Sequence, residues 1–163
     1  MKKIFGLLFL VLIAVGALIA ASPPIQDDLH WHWVSQQNTP MGYAAYLNSW
    51  PQGRHAEEAQ LLRDEQSWSH AQALSTADAM QGYLQTNADG RHLVEARQQF
   101  AERLWLEATS ANRADGYQRY VTNCPQGEHA AEARERFDAR LWDEAVAADT
   151  VDSCHRYLQL SPD

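Results

Sequence analysis

The chain has 163 residues and a formal net charge of −8. Its 13 basic residues include Lys2 and Lys3, the only lysines, so the stretch from Ser22 onward carries 11 arginines against 21 acids, a net −10. That balance disfavours nucleic acid, which needs a basic footprint, and a broad electrostatic contact with anionic lipid.

Residues 1–24 stand apart from the rest. Met1-Lys2-Lys3 precedes an unbroken apolar run over residues 4–21, closed by Ser22-Pro23-Pro24. The run exceeds the roughly 7–15 residues of a secretory signal core. At about 1.5 Å per residue a helix of this length reaches roughly 27 Å, close to the hydrocarbon thickness of a bilayer. Cleavage after Ala21 or Ala20 would put Ile19 or Leu18 at the −3 position, and cleavage after Ser22 would leave Pro23 at the scissile bond. The segment therefore reads as a retained transmembrane helix, with a cleaved signal and a soluble product as the alternative. No cysteine is placed for a lipid anchor. The two lysines precede the run and every acid follows it, beginning at Asp27. The positive-inside rule then puts the N-terminus in the cytoplasm and residues 22–163 outside it, which in a bacterium is the periplasm. The expected location is the inner membrane, single-pass.

Residues 25–35 hold His30-Trp31-His32-Trp33 just past the apolar run, where tryptophan is enriched at membrane interfaces. His30 and His32 are two apart and do not share a helix face, so interfacial anchoring and capping are favoured over metal or haem. This stretch is expected to be half a repeat, an isolated second helix.

Residues 36–163 repeat with a period of 37. Trp31, Trp68, Trp105 and Trp142 keep that spacing without slippage, as do Tyr46, Tyr83, Tyr120 and Tyr157. Gly53, Gly90 and Gly127 share it, and so do His55, His92 and His129 and the pairs Glu58-Ala59, Glu95-Ala96 and Glu132-Ala133. A fixed period of this size means stacked supersecondary units. In the second copy Thr76 suits a helix N-cap and Asp78 the first turn. Met80, Tyr83 and Leu84 follow at helical spacing, then the breaker cluster Asn87-Ala88-Asp89-Gly90. A second helix follows from about His92, with the stripe Leu93, Ala96, Phe100, Leu104 and Ala108. Each unit is thus a shorter helix A, a tight turn and a longer helix B. Three full hairpins are expected between two half-units, which would cap the array at both ends. Gly42, Ala79, Gly116 and Ser153 share one position of helix A. A mid-helix glycine costs up to about 1 kcal/mol, so its recurrence predicts close helix–helix approach.

The phrase Tyr46-Leu47, Pro51-Gln52-Gly53-Arg54-His55-Ala56, Glu58-Ala59, and its copy Tyr120-Val121, Pro125-Gln126-Gly127-Glu128-His129-Ala130, resembles the divergent tetratricopeptide-like repeats of bacterial envelope proteins. The period of 37 departs from the usual 34 of that superfamily. The resemblance implies an all-α, right-handed helical-hairpin solenoid over residues 36–163, and the apolar run places an N-terminal transmembrane helix before it. It also implies that helix A lines a concave, partner-binding face.

Chemistry is sparse. There is no Gly-x-Ser-x-Gly, no Walker loop and no His-Glu-x-x-His. The repeated histidines belong to neighbouring units about 10 Å apart, too far for one ion at bond lengths of about 2 Å. They are expected to close the turns. Cys154 falls at the helix A position of Tyr43, Met80 and Tyr117, so it is expected to be buried, and too far from Cys124 for a disulfide. No catalytic residue, metal or cofactor is indicated, and an enzyme is the least favoured class.

The expected function is protein binding. Polar helix A positions read Ala45, Gly82, Arg119, Arg156 in one slot, Ala44, Gln81, Gln118, His155 in another, and Asn48, Gln85, Thr122, Gln159 in a third. Gln81, Gln85, Gln118, Arg119, Thr122, Arg156 and Gln159 are therefore the candidate partner-binding residues, with the two arginines able to grip a carboxylate through paired hydrogen bonds. The reading is a membrane-anchored periplasmic scaffold or accessory subunit of an envelope complex. The alternatives are a secreted soluble adaptor and a module that senses peptidoglycan or a small ligand.

Overall fold

A computed structural model describes residues 22–161. The expected transmembrane helix falls on residues 1–21 and so lies outside the described residues. Among the described residues no helix is long and apolar enough to cross a membrane.

The described chain is all-α and holds eight helices, packed as sequential antiparallel pairs. They are α1 (Pro23–Gln37), α2 (Pro40–Ser49), α3 (Ala56–Leu74), α4 (Ala77–Thr86), α5 (Leu93–Ala111), α6 (Ala114–Asn123), α7 (Ala130–Ala148) and α8 (Val151–Leu160). Ten-residue helices alternate with nineteen-residue ones from α2 onward, in the order expected for helices A and B. The isolated helix B expected over residues 25–35 is α1. Two compact units divide at Ser67/Trp68.

Local chemistry sets the helix ends, and it repeats. Asn38, Ser75, Asn112 and Asp149 share the 37-residue spacing and all have positive φ, between 46° and 55°. Each closes a long helix in the left-handed conformation, which Asn, Asp and Ser tolerate because their short polar side chains bond locally. Thr39, Thr76 and Thr150 follow, each in extended backbone, and each hydroxyl accepts from the N3 amide of the next helix. Arg113 stands in that slot before α6 and cannot cap. There Asp115 Oδ1 accepts the Gly116 N–H at 2.9 Å instead.

At the other end of each short helix the N–H of Trp50, Asn87, Cys124 and Ser161 returns to the carbonyl of Tyr46, Tyr83, Tyr120 and Tyr157 respectively. The glycine of the turn then donates back to the first three of these residues, at 2.9–3.0 Å.

In the first unit the core is Val34, Tyr43, Tyr46 and Ala59, with Trp31, Leu47, Trp50 and Leu62 against it. In the second unit one cluster joins Trp68, Met80, Tyr83, Ala96, Phe100, Leu104, Tyr120 and Ala133, and another joins Ala108, Tyr117, Phe137 and Leu141. The close approach expected at the small helix A position is present: a Cβ on Gly116 would stand 3.1 Å from Ala108 Cα. Ser153, at the same position, donates its hydroxyl to the Ala145 carbonyl at 3.1 Å.

The C-terminal half-unit is α8, and Tyr157 on it packs against the cluster of Phe137 and Leu141. None of the residues of α8 is buried. Val151 is 71% exposed, whereas Ala77 and Ala114 at the same position are 0% exposed. The physical reason is that α4 and α6 are each covered by the long helix that follows, and among the described residues no long helix follows α8.

Candidate functional site

The repeated Trp, Tyr and His meet in a single brace. Trp105, on α5, stacks on His129 with ring centroids 4.4 Å apart and 8° between planes. Tyr120 meets Trp105 edge-on at 5.5 Å, and its hydroxyl accepts the His129 N–H at 3.3 Å. In the same unit Trp68 stacks on His92 at 5.0 Å, and Tyr83 accepts the His92 N–H at 3.3 Å. The first unit repeats it with Trp31 on His55 at 4.8 Å and Tyr46 accepting the His55 N–H at 3.3 Å. The histidines thus close the turns, as expected, and each also covers a tryptophan. Trp68 is 6% exposed and Trp142, whose one ring contact among the described residues is with Tyr157, is 53% exposed. The four tryptophans of the repeat are therefore not equivalent: among the described residues no imidazole covers the ring of Trp142.

The turn glycine serves the brace. A Cβ on Gly127 would stand 2.6 Å from Tyr120 Oη, and one on Gly53 2.7 Å from Tyr46 Oη. Only hydrogen at Cα leaves room for the hydroxyl that holds the histidine amide.

The first unit adds a buried carboxylate. Asp27 Oδ1 accepts from Tyr46 Oη, and Asp27 Oδ2 accepts the Arg54 N–H at 2.8 Å. Burial by itself pushes this carboxyl up. The two hydrogen bonds and the charges of His55 and Arg54 outweigh burial, so the group sits below the ordinary carboxylate value. Burial and the Asp27 bond push Tyr46 up to about 12. Trp50 Nε1 donates to His30 Nδ1 at 3.1 Å, so His30 serves the packing of this unit.

The candidate partner-binding residues all lie on α4, α6 and α8 of the second unit. Gln81, Gln118 and Arg119 are half-buried, and Gln85, Thr122, Arg156 and Gln159 are exposed. Thr122 turns its hydroxyl back to the Gln118 carbonyl at 2.9 Å. Both arginines have acidic neighbours. Arg119 pairs with Asp78 through Nη2 and with Glu107 at 3.3 Å through Nη1. Arg156 lies 3.6 Å from Glu144. Beside Arg119 a cavity of about 300 Å3 is lined by Leu104, Glu107, Ala108, Ala111, Asp115 and Gly116.

Glu107 and Glu144 are structural residues that the sequence reading passed over. Glu107 Oε1 accepts the Ala77 N–H at 2.9 Å, and Glu144 Oε1 accepts the Ala114 N–H at 3.1 Å. Each satisfies an orphan amide at the start of the short helix of its own hairpin. The signal was present: the two share the 37-residue spacing, and in the first copy the helix starts with Pro40, which has no N–H, while the glutamate position holds His70.

Both cysteines are free. Cys124 is half-buried and burial pushes its thiol up. Cys154 is exposed, contrary to expectation, because among the described residues no long helix follows α8 to cover its position.

The chain matches no protein-family model, no curated protein and no solved structure.

Proposed function

We propose that this chain is a membrane-anchored periplasmic scaffold or accessory subunit, which binds another protein of an envelope complex through tetratricopeptide-like repeats. The observation that carries the reading is the brace itself. A Trp, a Tyr and a His recur at fixed spacing and spend their chemistry on holding turns and helices together, while the polar positions of successive short helices are left facing outward. Repeats built this way present surfaces. On that surface Gln81, Gln85, Gln118 and Gln159 offer amides that both donate and accept, which suits the backbone and polar side chains of a peptide segment. Arg119 and Arg156 are the proposed anchors for an acidic segment or a free C-terminus. A partner carboxylate would exchange with Asp78 and Glu144, which are themselves solvent-accessible.

The test is affinity capture of the full chain from detergent-solubilised membranes, followed by the same capture with Arg119→Ala and Arg156→Ala combined. Selective loss of one partner from a variant that melts normally supports the groove. Unchanged recovery rejects it. Intact mass of the purified chain tests the anchor: retention of residues 1–21 is expected, and a mature N-terminus at Ser22 overturns it.

A further inference from the structure

The cavity beside Arg119 combines an apolar floor with an excess of negative charge. It lies between α5 and α6 and holds about 300 Å3. Leu104 and Ala108 line it from the core, and Ala111 stands exposed at its edge. Gly116 leaves the facing wall without a side chain. Its charged groups are Glu107, Asp115 and Arg119, two carboxylates to one guanidinium.

That guanidinium is already shared. Arg119 Nη1 lies 3.3 Å from Glu107 Oε2, and Nη2 donates to Asp78. Glu107 Oε1 is held by the Ala77 N–H at 2.9 Å, so the glutamate stays at the cavity whatever Arg119 does. Asp115 accepts the Gly116 N–H at 2.9 Å and lies 3.4 Å from Arg113. A partner carboxylate that takes Arg119 therefore releases Glu107 Oε2, and the cavity is left needing a cation.

The same chemistry recurs 37 residues on, as Leu141, Glu144, Ala145, Asp152 and Arg156. One copy earlier it is absent. There His70 stands at the glutamate position, Gly82 at the arginine position and Leu74 in place of Ala111. The short helix α4 forms without the set, so the repeat does not need it in order to fold.

We propose that the cavity seats a lysine of the partner, close in sequence to the acid that Arg119 takes. The inference rests on the groove reading above and names the class of segment, one in which acidic and basic residues alternate. The lysine stem lies on Leu104, Ala108 and Ala111, and its ammonium meets Glu107 Oε2 and Asp115. Such a side chain covers apolar surface with its stem and keeps its charge in water. An aliphatic side chain in the same place would take water from two carboxylates and return no hydrogen bond. With lysine, the ion pair between Arg119 and Glu107 is exchanged for two pairs across the interface.

The test uses the full chain in detergent and two fluorescein-labelled peptides, one alternating glutamate with lysine and one alternating glutamate with glutamine. Anisotropy should show saturable binding of both, tighter for the lysine peptide. Ala111→Leu writes the residue of the earlier copy into the cavity edge at an exposed position, and it leaves every charge in place. It should weaken the lysine peptide by at least about fivefold and the glutamine peptide by less. Asp115→Asn keeps the acceptor for the Gly116 amide and removes the charge. It should weaken the lysine peptide by about two- to fivefold, the range of an exposed ion pair, and leave the glutamine peptide unchanged. Thermal melts confirm that each variant is folded. Lysine-peptide binding that both variants leave unchanged, while Arg119→Ala abolishes it, overturns the lysine seat and leaves the groove standing. Absence of saturable binding by either peptide overturns both.

Discussion

The imidazole of His129 lies flat on the indole of Trp105, 4.4 Å away, although 24 residues separate them in the chain. His92 on Trp68 and His55 on Trp31 repeat the arrangement. The spacing brings together the residue that ends a turn and a residue on the preceding long helix. A stacked pair of this kind contributes about 0.5–1.5 kcal/mol beyond its buried area. His129→Ala should lower stability by about that amount, and His129→Phe should restore most of it. Urea denaturation of the three proteins reads the difference. Equal midpoints for His129→Ala and the parent would show that the stack carries no energy.

The tryptophans should differ in rank. Trp68 is buried and Trp68→Ala should cost about 3–5 kcal/mol, enough to unfold much of the second unit. Trp142 is half exposed, and Trp142→Ala should cost about 1 kcal/mol or less. Thermal melts followed by circular dichroism give the order. Equal losses at the two sites would contradict their difference in burial.

Gly127→Ala should be destabilising because its methyl would collide with the Tyr120 hydroxyl at 2.6 Å. Tyr120→Phe removes that oxygen and, with it, the bond from the His129 amide. The double variant should therefore lose less than the sum of the single losses, by about 0.5–1 kcal/mol. Strict additivity in a double-mutant cycle would place the clash elsewhere.

Asp27 links the first unit to pH. Its folded value is depressed below the unfolded value of about 3.9. The stability it contributes is present in full above the unfolded value and is lost as pH falls through the folded one. Tyr46 has the opposite sign. Its contribution is present below about pH 10, the unfolded phenol value, and is lost as pH rises toward about 12. Tyr46→Phe removes one of the two bonds that hold Asp27 ionised. Its acid transition, followed by tryptophan fluorescence, should move to higher pH than that of the parent. An unchanged transition would mean that the Tyr46–Asp27 bond does not set the carboxyl.

The 37-residue period carried much of the fold because each repeat solves the same local problems with the same residues. A left-handed residue stops the long helix, a threonine starts the short one, and a glycine makes room for a tyrosine hydroxyl. These are short-range constraints, so they are legible in one dimension. Helix type, order and the buried stripes of Phe100, Leu104, Phe137 and Leu141 followed from them. The polar positions of the short helices differ in exposure: Gln85, Thr122, Arg156 and Gln159 are exposed, and Gln81, Gln118 and Arg119 are half-buried.

Other properties were settled by what lies on top of a residue, which periodicity does not state. Cys154 shares its repeat position with Met80 and Tyr117, yet it is exposed, because burial belongs to the covering helix and not to the position. Trp142 differs from Trp68 for the same reason. The acids facing Arg119 come from 41 residues away on α4 and 12 residues away on α5, so their partnership required the helices to be placed first. Asp27 shows the limit most sharply. In one dimension it is half of an acidic pair beside an apolar run, and only the packing of α1 against Tyr46 and the Arg54 amide makes it a buried, ionised anchor. Sequence periodicity determined which faces the helices have. Tertiary structure decided which of those faces are covered, because covering is a relation between elements distant in the chain, and burial, pairing and charge all depend on it.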